Sequence, residues 1–264
     1  MAGNTGAGVI LKQLMDPQRQ SQEDRYEFPY HYIPEMREGR FSQLRHWSWG
    51  YRYLGWLQVV FDLLDGLEFD SLLDVGCGDG RFLREAAARY DDRRLMGIDI
   101  SARAVALARG LNPELEFAVR DILEDPEPGA FDVVTLLEVI EHVLPPSLEV
   151  FLRAAAAAAR PGGWVVLTTP HRNEPVTPEH YQHFDAASLE QLLGGVLADV
   201  RITPFDHLSS ALRVWARLLG GAGRYFVVAH PGLNSLFFRH YLKRCLYGRG
   251  EAQCRRLAAI GRRR

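Results

Sequence analysis

Three side chains able to do acid–base or metal chemistry stand close together in the stretch LLEVIEHVLPP, Leu136 to Pro146: Glu138, Glu141 and His142. In a helical stretch, positions 138 and 141 or 142 share a face. Two carboxylates and an imidazole that meet there repel one another unless a cation sits among them, and a divalent metal supplies that charge. The downstream segment HRNEPVTPEHYQHF adds His171, His180 and His183, any of which could bring a fourth ligand over the same place. A metal there would bind an acceptor hydroxyl and lower its pKa. Without a metal, His142 or His183 is the candidate general base, because imidazole titrates near the working pH. His171 and His180 read more simply as surface histidines. The residues alone leave both chemistries open.

A second stretch carries ligand-binding chemistry: LLDVGCGDGRFL, Leu72 to Leu83. Its order is Asp74-Val75-Gly76-Cys77-Gly78-Asp79-Gly80, so an acidic residue precedes a G-x-G-x-G turn. Glycines there let backbone approach a ligand without Cβ contacts. An ionised Asp74 repels a pyrophosphate and suits an ammonium group near a helix N-terminus, which argues against a dinucleotide. Nineteen residues after Gly80 comes Asp99, where a carboxylate can meet ribose hydroxyls. Asp121 ends the next apolar run, placed to meet an adenine amino group. Cys77 reads as a small residue facing packed backbone and not as a nucleophile.

These residues need a frame, and the chain has one. From about residue 69 strands and helices alternate: SLLDV, GRFLREAAARY, RRLMGID, SARAVALARG, ELEFAVRD, FDVVTLLEV, LEVFLRAAAAAARPGG and WVVLTTP. Ser101 is a plausible N-cap, Gly110 follows that helix, and Pro161-Gly162-Gly163 is expected to stop the alanine-rich one. Such alternation predicts a parallel sheet with helices on both faces and right-handed crossovers. A helix DAASLEQLLGG and a sixth strand VLADVRITPF follow, and EAQCRRLAAIG is expected to be a last strand beside the sixth. Upstream, Pro29 and Pro34 break regular structure. A helix is expected through LQVVFDLLDGL, with Leu54, Leu57, Phe61 and Leu64 at helical spacing.

Taken together, LLDVGCGDGRFL, GIDIS, VRDI, FDVVTLLEVIEHV and RPGGWVVLTTP resemble the class I S-adenosylmethionine-dependent methyltransferases, in family order over about residues 69 to 204. The resemblance implies an α/β fold, a Rossmann-like seven-stranded doubly wound sheet with an N-terminal aromatic lid and a helical insert before the last strand. It divides the chain into a 1–68 extension and a 69–264 catalytic domain with the insert at 207–249. It implies S-adenosylmethionine as cofactor and S-adenosylhomocysteine as product. Asp74, Gly76, Gly78 and Gly80, with Cys77 among them, would line the methionine end. Asp99 would bind the ribose, Ile100 would flank the adenine, Asp121 and Ile122 would meet its edge, and Leu137 would form a wall. The E-x-x-E-H segment resembles that of the ubiquinone-biosynthesis O-methyltransferases and of the small-RNA 2′-O-methyltransferases, which implies Mg2+ or another divalent metal at Glu138, Glu141, His142 and, from the loop, His183 more than His180. The same segment also occurs in small-molecule methyltransferases without a metal.

The flanks would choose the acceptor. Tyr30, His31 and Tyr32 are candidate substrate or lid residues. An aromatic-rich insert with Trp215, Tyr225, Phe226, Phe237, Phe238 and Tyr241 is a candidate pocket wall, dimer face or membrane-surface patch. The expected acceptor is a small molecule bearing a hydroxyl. A metal-dependent RNA methyltransferase and a non-catalytic cofactor-binding subunit are the alternatives.

The bulk numbers agree. Hydrophobic residues are 47% and charged residues 24%, ordinary for a globular protein with a sizeable core. A net charge of -2 argues against non-specific binding to a polyanion, although Arg239 to Arg264 holds nine basic residues and one acidic. Nucleic acid is therefore the weaker partner, and a homodimer is compatible with the aromatic faces. The three cysteines form no disulfide framework, so a reducing, cytoplasmic setting is expected. No signal peptide is expected, and no apolar run reaches the roughly 20 residues of a membrane-spanning helix.

Overall fold

Between Ser71 and Pro170 short aliphatic runs alternate with turns and with helices whose apolar residues lie on one side, except that the run Glu116–Val119 passes to Phe131–Leu137 with no helix among the described residues, and the chain lays these runs down as one sheet. The computed structural model describes residues 34–37, 40–43, 47–126, 129, 131–207, 209–211, 214, 230–248 and 250–264. Tyr30, His31, Tyr32, Trp215, Tyr225 and Phe226 lie outside the described residues.

A small hairpin opens the described chain. Strand β1 (Pro34–Arg37) pairs antiparallel with β2 (Arg40–Gln43). Pro34 stands first in its strand, where a missing N–H costs no ladder bond. Helix α1 (Trp47–Leu64) follows. Its Leu54, Leu57, Phe61 and Leu64 are all buried, as their spacing predicts.

The main sheet contains β3 (Ser71–Val75), β4 (Arg94–Asp99), β5 (Glu116–Val119), β6 (Phe131–Leu137), β7 (Ala159–Pro170), β8 (Leu197–His207) and β9 (Cys254–Arg263). Their spatial order is β5-β4-β3-β6-β7-β9-β8. The first five are parallel, and β9 runs antiparallel to both neighbours. The last strand thus lies beside the sixth, as expected, and also fills the gap between the fifth and sixth. Helices α2 (Arg81–Ala87), α3 (Ala102–Leu111), α4 (Leu148–Ala158), α5 (Ala186–Gly194) and α6 (Pro231–Tyr241) complete the layers.

The core divides by strand parity. Leu72, Val133, Val166 and Ala258 pack with α1, α2, α3 and α6 on one face. Leu73, Val134, Val165 and Ala259 pack with α4 and α5 on the other. Successive side chains of a strand point to opposite faces, so continuous apolar runs are what a doubly covered sheet requires. The alanine run packs α4 closely, with Ala155, Ala156 and Ala158 buried. That helix ends at Ala158, earlier than the Pro161-Gly162-Gly163 stop suggested. Pro161 disfavours helical backbone at Arg160, and Ala159 already pairs with Phe131.

Chain order reverses between β3 and β6. Ligands of doubly wound sheets bind there, beyond the carboxyl ends of the strands.

Candidate active site at the carboxyl edge of the sheet

A cavity of about 420 Å³ opens at this edge, reached by the ends of β3, β4 and β6 and by α1. Its two halves are built differently.

The glycine loop forms one half. Gly76 has a φ of 78°, and a Cβ there would stand 2.6 Å from Val139 Cγ2, so both conformation and space demand glycine. The Gly76 and Cys77 N–H groups donate to the Ile98 carbonyl at 2.8 and 3.0 Å, which pins the loop to β4. Cys77 is buried, and a Cβ on Gly97 would meet its Sγ at 2.8 Å. Burial pushes its thiol well above the usual range, so its part in the loop is packing.

Asp99 is anchored by two backbone donors, Gly78 N–H at 2.9 Å and Ser101 N–H at 2.8 Å. The strand end and the glycine turn are therefore joined through one carboxylate. Asp74 lies in register between Thr135 and Gly97. Its carboxyl accepts from Thr135 Oγ1 at 2.6 Å. Burial pushes its pKa up to about 7, with the nearby Asp99 adding to the rise and the Thr135 bond opposing it. Ile100 is 46% exposed, an apolar side chain open to the cavity. Ile122 is buried, Asp121 accepts from Leu123 N–H at 2.9 Å, and Leu137 lines the wall; all three border the same cavity.

The other half holds the acidic and histidine residues. Ile140–His142 forms a single 3₁₀ turn after β6. Glu141 is fully buried and accepts from Thr169 Oγ1 at 3.2 Å through one oxygen. Its other oxygen, Oε1, has no partner among the described residues. Burial, then the neighbouring Glu138, pushes its pKa well above the carboxylate range. Ligand atoms of Glu141, His142 and His180 lie within 4.8 Å of one another. A buried carboxylate oxygen lacking a partner, beside two imidazoles, fits a divalent cation.

The remaining sequence-predicted residues fall elsewhere. Glu138 does not join that group. Its backbone has a φ of 57°, a strained value for a residue with a side chain, and its Oε2 lies 2.9 Å from Arg256 Nε. That contact is an ion pair whose angle is not that of a hydrogen bond. His183 is buried behind His180 and does not line the cavity, because the loop turns between them so that His180 is in front. The family resemblance implied His183 more than His180 as the loop residue; the geometry brings His180 to Glu141 and His142. His171 also stands back, 3.0 Å from Glu251 Oε1, and accepts from Asn173 N–H at 2.9 Å.

Trp56 and Thr177 escaped the sequence reading, and Arg256 figured there only as one charge of the basic tail. The Arg256 guanidinium lies 3.8 Å from the Trp56 ring centroid, and Arg52 lies 5.1 Å from it. Trp56 Nε1, Glu138 Oε1 and Thr177 Oγ1 are buried without partners among the described residues, and all three residues border the cavity. The alternation of β9 was the available signal for Arg256. The basic tail is not a loose solvated end: Arg255 pairs with Glu174, and Arg262 lies 4.3 Å from the Trp164 ring centroid.

A family model described as a methyltransferase domain matches residues 49–250. The ubiquinone biosynthesis O-methyltransferase of Bordetella bronchiseptica is 40% identical over 126 residues, which is 46% of this chain and 49% of that protein. The protein of the same name from Alkalilimnicola ehrlichii is 42% identical over 123 residues, 44% of this chain and 48% of its own. The chain therefore spans about half the length of these curated relatives. Among solved structures, the N-methyltransferase NodS of Bradyrhizobium japonicum in complex with S-adenosyl-L-homocysteine is 16% identical, covers 94% of this chain and 99% of its own, and gives a TM-score of 0.59. The geranyl diphosphate C-methyltransferase of Streptomyces coelicolor, in complex with Mg2+, geranyl diphosphate and S-adenosyl-L-homocysteine, is 17% identical with the same coverage and a TM-score of 0.60. These structures share the fold.

Proposed function

This chain belongs to the methyltransferase-domain family, that of the S-adenosylmethionine-dependent methyltransferases, and from that premise we propose that it methylates a hydroxyl of a small-molecule acceptor. The observation that carries this reading is one continuous cavity, with the glycine loop and Asp99 at one end and Glu141, His142 and His180 at the other. Oxygen as the acceptor atom, and a quinone-like, sugar or natural-product hydroxyl as its class, is supported by the relatives named ubiquinone biosynthesis O-methyltransferases.

The cofactor supplies an electrophilic methyl group on a sulfonium. Gly76, Cys77, Gly78 and Gly80 would bring backbone up to its methionine end, and Asp74 would meet its ammonium. Asp99 would accept from the ribose hydroxyls through lone pairs that the two backbone donors leave over. Ile100 would cover the adenine, with Asp121 and Ile122 at its edge and Leu137 as the wall. The enclosed site aligns donor and acceptor and excludes water, which is most of the work in such a displacement.

Glu141, His142 and His180 are the residues that would hold a divalent cation, whose chemistry is to lower the pKa of the acceptor hydroxyl. In the cation-free form of the reaction His142 is the base. Its Nδ1 donates to the Glu179 carbonyl at 2.8 Å, so the neutral ring has its lone pair on Nε2. That nitrogen would take the proton of the acceptor hydroxyl as the oxygen is methylated. A reducing, cytoplasmic setting belongs to the same proposal and is supported by three buried cysteines without a disulfide. Among the described residues, no helix is long and apolar enough to cross a membrane. An RNA acceptor is disfavoured because the basic tail is spent on ion pairs and packing in β9.

Calorimetry with S-adenosylhomocysteine tests the reading. Wild type is expected to bind and Asp99→Ala to lose most of the affinity; absence of binding by wild type would sink it. Transfer of labelled methyl to a panel of phenolic and sugar hydroxyls, with and without chelator, then separates cation-assisted from histidine-based chemistry.

A further inference from the structure

We propose that Arg256 and Glu138 form a specificity-determining pair, which receives a second, uncharged group of the acceptor that both donates and accepts hydrogen bonds. The proposal rests on the transfer reading above and narrows the acceptor to one class: a hydroxyl accompanied by a further hydroxyl or by a carboxamide.

The two side chains balance each other's charge and leave each other's hydrogen bonding unmet. Glu138 Oε2 lies 2.9 Å from Arg256 Nε, yet Arg256 Nε and Glu138 Oε1 are both buried without a hydrogen-bond partner among the described residues. Such groups are rare in folded proteins, and each calls for an explanation. A guanidinium only donates and a carboxylate only accepts, so the group that completes both must do both. A hydroxyl does, and so does a carboxamide. An ether accepts without donating. A carboxylate would be repelled by Glu138, and an ammonium by Arg256. The surroundings tip the balance toward neither charge, because Arg52 is matched by Asp206 and Arg255 by Glu174.

Both members are held in place. Glu138 keeps its φ of 57° while its N–H donates to the Thr168 carbonyl at 3.0 Å, which ties the strained residue to β7. Arg256 stands in β9 opposite Pro170 and Phe205. Its guanidinium lies 3.8 Å from the Trp56 ring centroid, and its Nη1 donates to the Arg255 carbonyl at 3.2 Å. Backbone strain kept beside a cavity is a mark of function. Both residues border the cavity, as do Trp56 and Thr177, whose Nε1 and Oγ1 are also bare among the described residues. Glu138 and Arg256 both act electrostatically on Glu141, which places the pair at the acceptor end.

A series of phenols tests the pair, each carrying an ortho or meta hydroxyl, carboxamide, methoxy, carboxylate or aminomethyl group. Their affinities are measured by calorimetry on the full chain saturated with S-adenosylhomocysteine, with chelator present so that catechol cannot bind through a metal. For wild type, the best hydroxyl and carboxamide compounds are expected to bind about tenfold or more tightly than the other three kinds. Glu138→Gly suits the positive φ and leaves the guanidinium uncompensated, so the carboxylate compounds are expected to gain on the rest. Arg256→Met leaves the carboxylate alone, and the aminomethyl compounds are expected to gain. A flat ranking in wild type, no binding of any compound by the loaded wild type, or an unchanged ranking in the folded variants overturns the proposal. Should neither variant fold, the wild-type ranking still decides. Failure of wild type to bind S-adenosylhomocysteine would end the transfer reading, and the same series on the ligand-free chain would still show whether the pair selects.

Discussion

Asp74 and Glu141 are buried carboxyl groups at opposite ends of one cavity, and each has its pKa raised by loss of solvation. For Asp74 the reference value is 3.8 and the folded value about 7. Across that window the folded protein keeps a proton that the unfolded chain has lost. Its contribution to stability is complete below the window, declines as pH rises through it, and is gone above about 7. Asp74→Asn should flatten this part of the pH dependence of the urea midpoint in the ligand-free protein. Ligand binding should show the opposite slope. An ammonium needs the ionised carboxylate, so affinity for S-adenosylhomocysteine should fall on acidification below about 7, by up to about tenfold per pH unit. Calorimetry over a pH series checks this, and a flat profile in wild type would remove Asp74 from the ammonium site. Glu141→Gln keeps the shape of the buried side chain without its charge. It should leave ligand-free stability unchanged or higher, yet abolish Mn2+ binding as read by electron paramagnetic resonance.

Among the elements, the turn from β3 into α2 depends on a residue without a Cβ. Gly76→Ala combines a disallowed positive φ with a clash against Val139, and should cost about 1–3 kcal/mol. Truncating Val139 to alanine in the same chain should recover the clash part and leave the strain part. Thermal denaturation of the single and double variants separates them. Helix α5 is held at its start by a reciprocal cap. Asp185 accepts from Ser188 N–H at 2.7 Å, and Ser188 Oγ accepts from Asp185 N–H at 3.1 Å. Asp185→Ala should lower stability by about 1 kcal/mol, because one orphan donor of the first turn loses its partner.

At the scale of the whole molecule, helix α1 is joined to the far edge of the sheet by a buried ion pair. Arg52 donates to Asp206 Oδ2 on β8 at 2.6 and 2.9 Å, and Tyr241 Oη on α6 donates to Asp206 Oδ1 at 2.9 Å. Asp206 is almost wholly buried, and the Arg52 guanidinium holds it below the usual carboxylate range against the effect of burial. Arg52→Met leaves an uncompensated charge there and should cost about 3–5 kcal/mol in chemical denaturation. A loss below about 1 kcal/mol would mean that the cluster relaxes to water or to another cation. This junction also sets the cavity wall, since Trp56 lies one turn further along α1 and is flanked by Arg52 and Arg256.

The sequence by itself determined the sheet, its helices and the glycine loop, because each depends on local spacing. Alternating and 3.6-residue apolar periods, the turn glycines and the carboxylate at Asp99 all act within one strand–turn–helix unit. It also placed Glu138, Glu141 and His142 at the end of the right strand. Only tertiary structure decided which side chains meet. The loop from His171 to Phe184 has no periodicity, so spacing could not tell whether His180 or His183 stands in front. Glu138 is claimed by Arg256, which is 118 positions away in the chain and reaches it only because β9 inserts between β7 and β8. The charges of the tail were plain in the sequence. Their partners were not, because pairing between distant strands is set by packing of the whole sheet and leaves no local mark.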